Sequence, residues 1–239
     1  MKNIVIIKTG DSIPSLVTRR GDFEDWIIAG IEDSHPFSGS VVPVHRNGLL
    51  PDFDKTSGII ITGSHAMVTD QSDWIKKTAH WILKAVKQEI PVLGICFGHQ
   101  ILAYALGGRV GYMPGGPEYG TVRLQITDNI KKDPLFGNLP RTFSVQESHF
   151  QSVTKLPSMS VLLGSTEKDP HASFRYGKYT WGVQFHPEYD ADIANAYVDE
   201  INNEIKKTHE NAAALPLNCS DTVEARTILT RFAELMSDY

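Results

Sequence analysis

The sequence predicts an α/β protein with a central, largely parallel sheet flanked by helices, and with additional antiparallel strands in its second half. Three observations predict it. Short β-branched runs recur with helix-length spacers in the first half, strand-like runs crowd together in the second, and helical periodicity closes the chain.

The β-branched runs are residues 3–8 (NIVIIK), 41–45 (VVPVH), 58–62 (GIIIT) and 90–95 (IPVLGI). Strands covered on both faces need apolar side chains at successive positions, which is how these runs read. Between the third and fourth, residues 74–88 set Ile75, Ala79, Ile82 and Val86 on one helical face, with Lys76, Lys77, Lys84 and Lys87 mostly elsewhere. That is a β-α-β unit. From about residue 121 the runs TVRLQI, SVLLGS and YTWGVQF, joined by turns rich in Gly, Pro and Asp, predict the antiparallel strands. After residue 188 Ile193, Tyr197, Ile201 and Ile205 fall in helical register, as do Ala225, Ile228, Phe232 and Leu235. The intervening NAAALPLNCSD (211–221) reads as a turn or linker. No repeat or composition shift divides the chain, so residues 1–239 read as a single domain with a helical C-terminal part over 190–239.

Its 239 residues are enough to bury a substantial core. With 41% hydrophobic and 21% charged residues and no bilayer-length apolar run, the composition excludes a membrane-spanning or disordered chain. The formal net charge of −5 offers phosphate backbones no global attraction, so nucleic acid is not an expected partner. The opening MKNIVIIKTG lacks the apolar core of a signal peptide and reads as a first buried strand. Two cysteines, Cys96 and Cys219, are too few for a disulfide framework, and a reducing, cytoplasmic location is expected.

The segment IPVLGICFGHQILAYALGG concentrates the chemistry. An apolar strand runs into Cys96 and a helical pattern of Ile101, Leu102, Ala105 and Leu106 starts almost at once, which puts Cys96 on a strand-to-helix turn. Gly94 and Gly98 flank it at minus two and plus two, as a tight nucleophile elbow requires. The N–H groups opening the helix favour negative charge in the same space. A lone Cys is more often a small buried hydrophobe, and it is the glycine spacing that favours a nucleophile. Such a thiol needs a base. Of nine histidines, His186 stands out because it follows the strand YTWGVQF and precedes Glu188 by two, so that an extended backbone would project both side chains from one side. A carboxylate beside imidazole fixes its tautomer and stabilises its protonated form. An exposed His-Pro-Glu turn fits that fragment equally well, and spacing alone does not bring His186 to Cys96.

The residues GICFGHQ (94–100) and GVQFHPE (182–188), 90 positions apart from Cys96 to His186, resemble the paired motifs of class I glutamine amidotransferases. The resemblance extends over about residues 40–190. It implies a flavodoxin-like α/β fold and hydrolysis of the glutamine side-chain amide, with Cys96 as nucleophile, His186 as general acid/base and Glu188 as the group that orients it. It further implies that Gln100 contacts the substrate. GIIITGS (58–64) resembles the oxyanion strand, but Thr62-Gly63-Ser64-His65 replaces the family's Gly-Pro turn, leaving the backbone donor between Gly63 and Ser64, with Phe97 N–H as the second. The Ser-His segment implied to line the substrate pocket reads Ser148-His149-Phe150-Gln151, and a carboxylate common in relatives is missing at Phe150 and Gln151. Glu147 is one alternative source of that charge. Thioester chemistry of this kind needs no metal or organic cofactor.

The stretch GGPEYGTVRLQIT, with SHFQSV and GVQFHPE, looks most like stand-alone GMP-synthase-like amidotransferases. With no P-loop pattern in the chain, a separate synthetase subunit would be the partner receiving ammonia. Two alternatives stay open: a γ-glutamyl peptide or conjugate hydrolase using the same residues, and a catalytically weak regulatory or binding module.

Overall fold

The computed structural model describes residues 3–33, 36–130, 133–208 and 214–237. Strand β1 (Asn3–Lys8) leads into helices α1 (Pro14–Arg20) and α2 (Phe23–Glu32), followed by β2 (Gly39–Pro43), β3 (Thr56–Ile61), α3 (Asp73–Lys87), β4 (Val92–Ile95) and α4 (Phe97–Ala105). The second half contributes β5 (Arg109–Tyr112), β6 (Glu118–Ile126), β7 (Thr142–His149), β8 (Gln151–Lys155), β9 (Val161–Ser165), β10 (Ser173–Tyr176) and β11 (Thr180–Val183). Helices α5 (Ala191–Thr208) and α6 (Val223–Ser237) close the chain. Among the described residues no helix is long and apolar enough to cross a membrane.

Among the described residues nine strands form one sheet in the order β2-β1-β3-β4-β11-β10-β9-β6-β7, and β5 pairs with β8 in a small second sheet. Strands β2, β1, β3, β4 and β11 are mutually parallel, whereas β10, β9, β6 and β7 run antiparallel to their neighbours. The apolar runs of the first half are explained by cover on both faces. Ile4 and Ile6 of β1 join a core with Ile27 and Ile31 of α2 and with Ile228, Phe232 and Met236 of α6. Val5 and Ile7 point the other way, into a core with Ile75 and Ile82 of α3 and Ile101 and Leu102 of α4.

One strand differs from expectation. YTWGVQF reads in sequence as one of the antiparallel strands, yet β11 pairs parallel with β4 and antiparallel with β10. It is the strand at which the sheet changes direction, and with Trp181 and Val183 fully buried it resembles the parallel strands in burial. Helices α1 and α2 and strands β5, β7, β8 and β10 go beyond the runs recognised in the sequence. The boundary of α2 carries a local signal: Asp22 accepts from Phe23 N–H at 2.7 Å, and Asp22 N–H donates to Asp25 Oδ2 at 2.9 Å. Of the linker over 211–221, residues 211–213 lie outside the described residues. The remainder is pinned to its neighbours: Asn202 exchanges two hydrogen bonds with Leu215, and Cys219 N–H donates to Asn195 Oδ1.

Candidate active site

The carboxyl ends of β3, β4 and β11 lie side by side, and the residues singled out in the sequence sit at those ends. Cys96 occupies the single position between β4 and α4 with φ 51°, a left-handed backbone uncommon for a residue with a side chain. Its N–H donates to Val183 O of β11 at 2.9 Å, and its carbonyl accepts from Gln100 N–H at 3.1 Å. A Cβ on Gly94 would stand 2.4 Å from Gly98 O, and one on Gly98 2.3 Å from Ile61 O, so the elbow closes only because both are glycine. The thiol is nearly buried, its Sγ 4.0 Å from the Ser148 carbonyl oxygen.

His186 is fixed by its own N–H, which donates to Gln146 O of β7 at 2.9 Å. The backbone after β11 does not continue as a strand, contrary to the extended reading of His186 and Glu188. Pro187 and Glu188 form a turn in which Tyr189 N–H reaches back to His186 O at 3.4 Å. The turn still brings Nδ1 of His186 within 2.7 Å of Glu188 Oε1, both side chains buried. A carboxylate accepts only, so Nδ1 carries the hydrogen and Nε2 is the nitrogen free to exchange a proton. The ring lies parallel to that of Tyr189 at 4.0 Å between centroids, and to Phe23 at 6.2 Å. Burial works against charging this imidazole, but the Glu188 carboxylate and a charge and hydrogen-bond interaction with Cys96 outweigh it, raising its pKa to about 10. His186 and Cys96 face the same cavity. His99, in the same motif as Cys96, differs: fully buried against Phe174 and Gly182, it is pushed down to about 3 by burial and stays neutral.

Cys96, His186, Ser64, Phe97, Gln100, His149, Phe150 and Gln151 all line one cavity of about 370 Å³. Glu188 and Gly63 stand outside the lining. Glu188 backs the imidazole, and a Cβ on Gly63 would lie 3.0 Å from His186 Cε1. The loop after β3 is latched to the end of β1, with Thr9 Oγ1 donating to Gly63 O at 2.9 Å and Ser64 Oγ to Thr9 O at 2.8 Å. Phe97 opens α4, where an N–H has no carbonyl in a preceding turn. Gln100 Nε2 donates to Gln151 O at 2.7 Å and to Gln184 Oε1 at 3.1 Å, so its amide nitrogen is committed to the protein. Gln151 Nε2 donates to Thr69 Oγ1, while Phe150 is 43% exposed at the mouth against Tyr119.

Several lining residues escaped the sequence reading: Phe23 of α2, Tyr189, and Tyr197, Glu200 and Ile201 of α5. Tyr189 directly follows the His-Pro-Glu turn, a usable signal, whereas nothing local marks Phe23 as a neighbour of His186. His65 also lines the cavity, edge-on to Phe23 and Tyr197, and burial followed by the charge of His186 lowers its pKa.

Residues 25–200 match the family model for glutamine amidotransferase class-I, a wider span than the motifs alone suggested. The chain belongs to this family. This class-I amidotransferase is 34% identical over 154 residues to γ-glutamyl peptidase 5 of Arabidopsis thaliana, an alignment covering 64% of this chain and 61% of that protein. It is 32% identical over 189 residues to the glutamine-hydrolysing GMP synthase of Porphyromonas gingivalis, covering 79% of this chain and 33% of the relative. The amidotransferase thus spans about three fifths of the peptidase's length and a third of the synthase's. Its fold is that of a glutamine amidotransferase from Thermotoga maritima, at TM-score 0.73, 20% identity and full coverage of both chains. A second, from Methylobacillus flagellatus, gives TM-score 0.74 at 23% identity, with 99% of this chain and 93% of the other covered. The flavodoxin-like α/β fold implied by the motifs is therefore present, with a parallel strand order of 2-1-3-4 continued by β11.

Proposed function

We propose that the chain hydrolyses a glutamyl side-chain amide through a Cys96 thioester, with glutamine as substrate. The observation that carries this reading is the convergence in one cavity of a cysteine on a glycine-flanked elbow and an imidazole held at 2.7 Å by a buried carboxylate. Cys96 Sγ attacks the amide carbon, and the oxyanion is held by backbone N–H groups of Gly63 or Ser64 and of Phe97. His186 protonates the departing ammonia from Nε2, then takes a proton from the water that releases glutamate, while Glu188 holds the ring in one tautomer. Gln100, His149, Phe150 and Gln151 shape the substrate pocket. A separate synthetase subunit would receive the ammonia, and a reducing, cytoplasmic setting suits a thiol nucleophile. The reading of residues 1–239 as one domain is supported by α5, which supplies one wall of the cavity.

A second reading, γ-glutamyl peptide hydrolysis, is favoured by one specific observation. The cavity continues from Cys96 to Glu200 and Ile201 on α5, past the space an ammonia leaving group needs. Purified protein assayed with glutamine and with γ-glutamyl dipeptides separates the two. Cys96→Ser is expected to abolish release of ammonia or of the amine from either, and turnover surviving in that variant refutes the thioester route.

A further inference from the structure

In the cavity wall that includes His149, β6 and β7 bring three chelating side chains together. Glu118 and His149 are directly opposite in the antiparallel register, and Glu147 precedes His149 by two residues, on the same face of β7. One donor atom from each lies within 4.8 Å of the other two. His149 Nε2 stands 3.3 Å from Glu147 Oε2 and 3.7 Å from Glu118 Oε2, and no side chain of the three is more than 5% exposed.

The hydrogen-bond pattern leaves buried atoms of this cluster without partners. His149 Nδ1 is 2.9 Å from Gln151 O, and a carbonyl only accepts, so Nδ1 bears the hydrogen. Nε2, on the other side of the ring, then faces two carboxylates. Among the described residues neither oxygen of Glu147 nor Nε2 of His149 has a hydrogen-bond partner, although all three atoms are buried. Buried acceptors facing one another are costly unless a cation or proton lies between them.

The spacing suits a metal ion. Bonds of about 2.0–2.1 Å in tetrahedral geometry separate neighbouring donors by roughly 3.3–3.4 Å, close to the shorter separation here. The outer bonds also match, with the Gln151 carbonyl fixing the His149 tautomer and Thr166 Oγ1 donating to Glu118 Oε2 at 2.7 Å.

We propose that Glu118, Glu147 and His149 form a binding site for one divalent transition-metal ion of the zinc type, in the wall of the substrate cavity that His149 lines. The ion braces the wall that carries His149 and Ser148.

The test uses the full chain as its Cys96→Ser variant, so that the thiol cannot act as a ligand. Titration with Co²⁺ is expected to give one tightly bound equivalent, with visible d–d absorption, no sulfur charge-transfer band and displacement by Zn²⁺. Zn²⁺ is expected to raise Tm. Adding the near-isosteric Glu147→Gln should weaken binding by roughly 10- to 100-fold or more while circular dichroism is unchanged. Absence of stoichiometric binding, or binding equally tight in Glu147→Gln, overturns the site, the latter because the ion then sits elsewhere. Amide hydrolysis by the unmodified protein is read on a different sample, so failure of the metal site and failure of the thioester route are distinguished.

Discussion

At Cys96 and His186 two unfavourable local states support each other. The cysteine holds a positive φ that costs of order 1–3 kcal/mol, and the imidazole is buried yet favours its charged form. An imidazole raised to about 10 in the folded chain, against about 6.5 when unfolded, stabilises the fold fully below pH ~6.5 and loses that contribution as pH rises through about 10. Because Glu188 and Cys96 both raise it, Glu188→Gln and Cys96→Ser are each expected to lower the His186 pKa. Imidazole proton shifts in NMR titrations check this, and an unmoved midpoint in both variants would contradict the assigned causes. Glu188→Gln is also expected to reduce kcat by roughly 10²–10⁴-fold, since an amide no longer fixes the tautomer or stabilises the imidazolium. Steady-state kinetics with glutamine measures it.

The elbow between β4 and α4 is an element whose tolerance is set by backbone atoms. A methyl on Gly98 would press on Ile61 O and one on Gly94 on Gly98 O, and neither carbonyl can move without disturbing β3 or α4. Gly98→Ala is therefore expected to cost roughly 1–3 kcal/mol or more, seen as a Tm lowered by about 2–4 °C per kcal/mol. Helix α5 acts differently, because Tyr197, Glu200 and Ile201 face the cavity far from the thiol's own strand. Ile201→Trp is expected to raise KM for γ-glutamyl dipeptides more than for glutamine, and equal effects on both would place the α5 face outside the substrate path. The elbow was legible in the sequence because its steric demand is local, two glycines placed two residues either side of one cysteine. The α5 wall was legible only as a helix: periodicity identifies an apolar stripe but not which cavity it closes. Phe23 was illegible as a site residue, since its contact with His186 arises from packing between distant segments.

Across the whole molecule, the parallel half was the more readable. Its strands are covered on both faces and so leave unbroken apolar runs, whereas β7 mixes Phe143 and Val145 with the buried polar Gln146, Glu147 and His149. Those polar residues serve the site and its surroundings, which is why a hydrophobic pattern did not reveal the strand. One buried carboxylate ties β10 and β11 to the segment after β6. Asp133 accepts from Leu135 N–H and Phe136 N–H at 3.0 Å, faces Trp181 Nε1 of β11 at 3.3 Å and pairs with Arg175 of β10 at 2.8 Å. Asp133→Ala is expected to cost roughly 3–5 kcal/mol by leaving these donors and the Arg175 charge unpaired. Urea unfolding measures it, and a loss under about 1 kcal/mol would show that water replaces the carboxylate.

The hydrogen bond from Cys96 N–H to Val183 O joins strands whose intervening chain builds the entire antiparallel wing. A ribosome therefore releases the thiol long before the strand that will cover it, and a pairing so distant along the chain is slow to form. If Cys96 acts as proposed, its partner His186 is supplied by a segment made some 90 residues later, so the chain is expected to gain a reactive thiol only after residues 180–186 have been synthesised, which thiol labelling of C-terminally truncated chains would check.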